Sequence, residues 1–323
     1  SQLVSNYPKD PNYNYRYGAS LLFADVDKSK ALPYLEFAVG RTEVEPEAFF
    51  FLGKAYHLNY SFSKASKNYE KFRDLGKAKE VARYDVASHL RQAKSGKTLL
   101  RNLTDIIVLQ KQKLQDADFF KVYDLTEFGG KIVVKPEEFM TSYEKESGIP
   151  SILYLPKNAS RIYFSSIDSE DGNKDLYYAD KTAKGWSSKK KLPAIINTEF
   201  DEDYAFVHPD ANVLYFSSKG HNSLGGYDIF KSELDPNTGT WSKPVNMDFA
   251  INTPDDDFLF ITDKEQKLAY FTSKRSSVQG QVHVYRINMK RVPLNIAVIS
   301  GIFESNTTKK ATIQVKDKDR GVL

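Results

Sequence analysis

Two runs of acids in this sequence invite a chemical reading. Glu199, Asp201, Glu202 and Asp203 form the first, and Asp255, Asp256 and Asp257 the second. Paired carboxylates carry out glycoside hydrolysis, and clustered ones hold calcium. Each run follows an Asn-Thr pair, Asn197-Thr198 and Asn252-Thr253, and the two runs keep one spacing. Acids that recur at a fixed place in a repeat read first as architecture: they cap turns and bond backbone amides. The stretch DSEDGNKD, Asp168 to Asp175, imitates a calcium loop. Its Gly172 falls at the fifth place rather than the sixth, and no glutamate follows at the twelfth.

A second chemical candidate is SSKGHNSLGGYDIF, Ser217 to Phe230, with Gly225 and Gly226 at its centre. A phosphate-binding loop leads from a strand into a helix. Here YDIFKSEL reads as a strand and DPNTG as a turn, so the glycines are expected to supply positive backbone angles in a tight inter-strand loop. Five histidines (His57, His89, His208, His221 and His283) show no pair at metal-ligand spacing. Ser61 to Lys64 and Ser187 to Lys190 each spell Ser-x-x-Lys, without the companion motifs that give that pattern meaning. DPNTGTW fails the spacing of a sialidase turn, and the run Lys189 to Lys191 reads as a solvated strand edge.

Composition narrows the field. The formal charge is +4, from 46 basic and 42 acidic residues, too balanced for a nucleic-acid binder. There is no cysteine, which excludes a thiolate zinc site, a disulfide framework and a cysteine nucleophile. Aromatic residues reach 13%, which suits half-buried strand faces and protein-contact surfaces. No apolar run approaches the ~20 residues that span a bilayer.

The elements that would position these residues fall into two repeating blocks. In the first hundred residues, ALPYLEFAV (31–39) and ASKNYEKFR (65–73) align so that Ala31 meets Ala65, Leu35 meets Tyr69 and Ala38 meets Phe72. The same shift brings Gly18, Ala19 and Leu22 onto Leu52, Gly53 and Tyr56. A period of this length with small residues at fixed places is the tetratricopeptide (TPR) signature. Two repeats and a capping helix near Glu80 to Lys94 are expected. From about Leu103 the pattern turns to short strands. RIYFSSIDSEDGNKDLYYAD, VLYFSSKGHNSLGGYDIFKSEL and LAYFTSKRSSVQGQVHVYRI each carry an aromatic strand, a polar loop and a second strand, and Trp186 and Trp241 keep the spacing of the acid runs. Four-strand units at such a period read as propeller blades. Four strand clusters are visible, at 103–134, 151–192, 204–245 and 258–287.

These motifs resemble the TolB-like propeller repeats of Bacteroidota OmpA-family envelope proteins. The order of TPR, propeller and ISGIFESNTTKKATIQVKD, which resembles the first strands of a carboxypeptidase-regulatory-like β-sandwich with Gly301, Lys310 and Ala311 in place, matches periplasmic members associated with the type IX secretion system. The resemblance implies a multidomain protein: an all-α TPR region (1–100), an all-β propeller of four to five blades (103–293), and the start of a sandwich (294–323). It implies a periplasmic, outer-membrane-associated scaffold with envelope proteins as partners, among them an outer-membrane β-barrel. In that family an OmpA-like domain follows, so peptidoglycan binding is expected only through a module outside these residues.

The expected function is therefore non-enzymatic, with no cofactor, no metal and no nucleic-acid partner. A glycan- or calcium-binding module and a propeller hydrolase remain as alternatives. Partner contact is expected at the loops after the Ser-Ser strand ends: Asp171 and Asn173 in the first, His221, Asn222 and Leu224 in the second, Arg275 and Gln279 in the third. A competing surface is the TPR face carrying Tyr56, His57 and Tyr60.

Overall fold

The computed structural model describes residues 2–24, 26–100, 104–126, 128–148, 151–170, 172–208 and 212–293, and beyond them 316–317 and 321–322. Residues 1–293 form one compact unit and 294–323 a second. In the second, Lys316–Asp317 pairs antiparallel with Gly321–Val322. The rest of the expected sandwich start lies outside the described residues.

The N-terminal part is helical: α1 (Gln2–Asn6), α2 (Pro11–Leu21), α3 (Leu32–Val39), α4 (Glu47–Leu58), α5 (Phe62–Leu75), α6 (Ala78–Arg83) and α7 (Val86–Leu99). Consecutive helices pack as hairpins around one aromatic core that includes Leu35, Phe50, Leu52, Phe62, Tyr69 and Phe72. The small residues of the repeat set the approach distance. A Cβ on Gly53 would lie 2.6 Å from the Tyr69 ring, so α4 meets α5 only because position 53 is bare. The expected capping helix is two helices. Asp85 sits at φ 43°, breaks the run between α6 and α7, and caps α7 through its own carboxylate, which accepts from Ser88 N at 3.3 Å.

The remainder is antiparallel sheet. The strands are β1 (Thr104–Gln115), β2 (Gly130–Val134), β3 (Ile152–Pro156), β4 (Arg161–Ser166), β5 (Asp175–Thr182), β6 (Gly185–Trp186), β7 (Lys190–Lys191), β8 (Glu202–His208), β9 (Val213–Ser218), β10 (Asp228–Asp235), β11 (Thr240–Trp241), β12 (Val245–Asn246), β13 (Asp257–Thr262), β14 (Leu268–Ser273) and β15 (Gln281–Pro293). One short helix, α8 (Ser142–Ser147), lies between β2 and β3, opened by a capping box of Thr141 and Glu144.

The sheets run β4-β5-β6 with β7 on β5, β11-β10-β9-β8 with β12 on β10, β1-β15-β14-β13, and the pair β2-β3. The cluster expected at 103–134 therefore makes no sheet of its own. Its first strand crosses to the end of the unit and pairs with β15 along its length, while its second pairs with β3. The repeat is visible in backbone strain as well as in sequence. Tyr204 and Leu259, at one place in β8 and β13, both take φ above +50°, and each marks a register shift.

Candidate functional site

The acid runs are latches between neighbouring sheets. Asn197 accepts from Leu176 N at 2.7 Å and donates to the carbonyls of Leu176 and Leu192. Asn252 does the same one sheet later, accepting from Ile229 N at 2.8 Å and donating to Ile229 O and Asn246 Oδ1. Thr198 gives its amide and hydroxyl to Glu202, and Thr253 gives both to Asp257. Asp201 accepts from Lys174 N at 3.0 Å and pairs with Lys219 at 2.7 Å. Asp256 accepts from Tyr227 N at 2.9 Å and pairs with Lys274 at 2.8 Å. The three Ser-Ser loops thus lie in a row, each joined to the next through one aspartate.

Burial shapes the titration of these acids. Glu202 is fully buried, and burial pushes its carboxyl up to about 7 against the pull of Ser218 and Thr198. Asp255 is pushed up to about 6 by burial, with the Asp257 charge adding to it. Asp228, also fully buried, is held well above the usual carboxylate range by burial; its Oδ2 accepts from Leu224 N and Asn246 Nδ2. Among the described residues, no three His, Cys, Asp or Glu side chains are placed to hold a metal ion.

The glycine loop has a role that the sequence did not reveal. Gly225 and Gly226 do not have positive φ, contrary to expectation. They are bare because the next latch presses on them: a Cβ on Gly225 would overlap the carbonyl of Pro254, and one on Gly226 the carboxylate of Asp256. The other side of the same loop meets the helices. His57 Nε2–H donates to Leu224 O at 2.6 Å, and Gln92 donates to Gly225 O. Burial lowers His57 to about 4, so the ring is neutral in this contact. Phe249 packs beside Tyr60 and Phe62, and Arg91 lies over the Phe200 ring at 4.2 Å. The helices are docked on the loop side of the sheets.

This docking redistributes the expected contact residues. Leu224 is fully buried at the junction and offers no surface, because its amide is fixed by Asp228 and its carbonyl by His57. Tyr56 and His57 are likewise buried rather than displayed. Arg275 turns inward, reaching Asp257 at 2.8 Å and Ser273 at 2.8 Å. Asn173 is exposed and ties its loop to Glu199 O. Gln279 is exposed, and Asp171 lies outside the described residues. Tyr60 keeps 43% of its surface while packing on Phe249.

His221 and Asn222 remain at the surface, at the rim of a cleft of about 690 Å³ that also takes in Leu99, Lys243, Pro244 and Val245. His221 Nε2–H donates to Ile196 O at 2.9 Å, which holds the ring in place. Val245 is 65% exposed. Sequence reasoning missed Leu99 and Val245; the signal was an apolar residue at the end of WSKPV, outside any alternating run.

No family model, curated protein or solved structure matches the chain.

Proposed function

We propose that this chain is a non-enzymatic interaction scaffold of the bacterial envelope, with TPR-type helices and sheets that are blades of a β-propeller. The observation that carries the reading is the use of the recurring acids. Asp201, Asp203 and Asp256 each join one sheet to the next, and Glu202 and Asp257 are buried in hydrogen bonds to the preceding threonine, so these five serve the architecture. Propeller architecture is favoured by the repeated latch, by the matched bulges at Tyr204 and Leu259, and by β1 completing the last sheet. Joining the first strand to the last sheet is how a ring of blades avoids an open end. The body so formed would present the His221–Asn222 cleft and the exposed Asn173 and Gln279 to an envelope partner, an outer-membrane β-barrel. Peptidoglycan attachment would lie in a module outside these residues, and the site of action would be the periplasm.

The test is capture of detergent-solubilised outer-membrane proteins on the immobilised chain. A reproducible partner is expected, lost when Asn222→Ala is combined with Val245→Glu. Retention by that variant would move the contact elsewhere. Hydrolysis of polysaccharide or muropeptide that disappears in Asp256→Asn would overturn the scaffold reading.

A further inference from the structure

The strand β2 has one satisfied edge and one open edge. Lys157 N donates to Gly129 O and Lys135 N to Ser151 O, both at 2.8 Å. With Gly130 facing Pro156 and Lys131 facing Leu155, the odd-numbered residues exchange bonds with β3. The amides and carbonyls of Gly130, Ile132 and Val134 point the other way. Among the described residues none of them is bonded to another backbone group. Such an edge is a template for a further strand unless charge, proline or a bulge blunts it. The edge here carries neither proline nor bulge, and its one charge, Lys131, disfavours a basic strand while leaving the edge open to an acidic one.

That edge borders a cleft of about 880 Å³, whose lining includes Gly130, Ile132, Leu125 and Tyr123 with Lys121, Lys131 and Lys157. Lys121 is paired with Asp118 at 2.6 Å. Lys131 and Lys157 are exposed and have no ion pair among the described residues. The lining carboxylate of Asp124 is already engaged by the amide and hydroxyl of Thr126. The cleft thus offers free backbone donors and acceptors along one side and unpaired positive charge beside them.

We propose that β2 is a docking edge for an extended acidic segment of a partner protein, added antiparallel or parallel as a third strand to β2-β3. Backbone bonds to Ile132 would set its register, and Lys131 and Lys157 would select for carboxylates. This site is separate from the His221–Asn222 cleft and does not depend on the envelope assignment.

The probe is a fluorescein-labelled (Glu-Val)5 peptide, read by anisotropy against the intact chain, with (Lys-Val)5 as control. Binding of the acidic peptide alone is expected, weakened several-fold when salt rises from ~0.05 to ~0.5 M. Ile132→Pro deletes an outward amide while leaving the residues that bond β3 in place, and is expected to abolish binding. The pair Lys131→Glu and Lys157→Glu, both surface changes that leave folding intact, is expected to weaken it at least about tenfold. No binding at about 1 mM peptide overturns the proposal. So does equal binding of both peptides, or unchanged affinity in the charge-reversed variant. Capture of the chain by anionic vesicles without peptide binding would assign the lysines to a lipid surface and overturn it too.

Discussion

The latch at Glu202 and the latch at Asp257 occupy the same place in successive sheets, yet they are built on opposite electrostatic terms. Each acid is fully buried and takes the amide and hydroxyl of a threonine. In the first, the remaining partner is a hydroxyl: Ser218 donates to Glu202 at 2.6 Å. In the second, the matching Ser273 turns to Arg275, and the guanidinium reaches Asp257 at 2.8 Å. The residue that corresponds to Arg275 is Gly220, where a Cβ would overlap the Thr198 hydroxyl. There is no room for an arginine at that point. The longer glutamate spans to the serine instead. The same architectural role is filled once by an ion pair and once by neutral hydrogen bonds. The two should therefore respond differently to mutation and to pH.

The largest expected effect is Arg275→Met. Removing one member of a buried pair leaves the other charge uncompensated, at a typical cost of ~3–5 kcal/mol. Arg275 keeps some solvent contact, so the lower end, about 3 kcal/mol, is expected in urea unfolding. Adding Asp257→Asn should restore part of the loss. A double variant as unstable as the sum of the singles would mean that the pair is not what Arg275 contributes.

Next is Gly225→Ala. The added methyl meets backbone at Pro254, which cannot rotate away. Overpacking of this kind costs ~1–3 kcal/mol. Gly220→Ala meets a threonine side chain instead and should cost less. Equal losses in thermal unfolding would contradict the view that the two latches bear on this one loop in different ways, one through a side chain and one through backbone.

Asn197→Ala and Asn252→Ala should be near equals. Each loses three hydrogen bonds, two of them to one backbone amide and carbonyl in both cases and the third to Leu192 O or to the Asn246 side chain, and each leaves buried backbone groups unsatisfied, at about 2 kcal/mol or more. A difference well beyond ~1 kcal/mol between the two would show that the repeats are alike in outline only.

How much of this was legible beforehand follows from what a sequence encodes locally. The helical part, the succession of antiparallel strands and the latching role of Asp201 and Asp256 rest on residues that recur at a fixed interval, and could be read directly. The partition of strands among sheets could not. Nothing in TDIIVLQKQKLQ indicates that β1 pairs with a strand more than 160 residues away. The glycines stand out in the sequence but their cause does not, because a bare Cα for backbone angle and a bare Cα for close approach look identical there. Leu224 is a contact candidate on loop position alone; its burial depends on His57, which a separate block of sequence supplies. Val245 and Leu99 meet only after the helices dock, so no local pattern marked their cleft.

The smallest expected effect at any single pH is also the sharpest test of the comparison. Burial raises the Glu202 carboxyl from 4.5 to about 7 in the folded chain. The folded state then binds a proton more tightly than the unfolded state does. The contribution is present in full below pH 4.5 and is lost as pH rises through 7. Glu202→Gln removes the titration. The amide keeps one carbonyl acceptor for the Thr198 and Ser218 donors but gives up the second oxygen, so the variant should be slightly less stable at pH 4.5. Above pH 7 it no longer carries a buried charge, and the deficit should close or reverse by roughly 1 kcal/mol. Melting temperatures of wild type and Glu202→Gln, taken from pH 4.5 to 8.5, should therefore converge and cross. The ion-paired counterpart, Asp257→Asn, should stay below wild type at every pH in that range, because it strands the Arg275 guanidinium. Parallel curves for wild type and Glu202→Gln would mean that Glu202 stays ionised throughout and that its two hydroxyl partners serve it as well as the guanidinium serves Asp257.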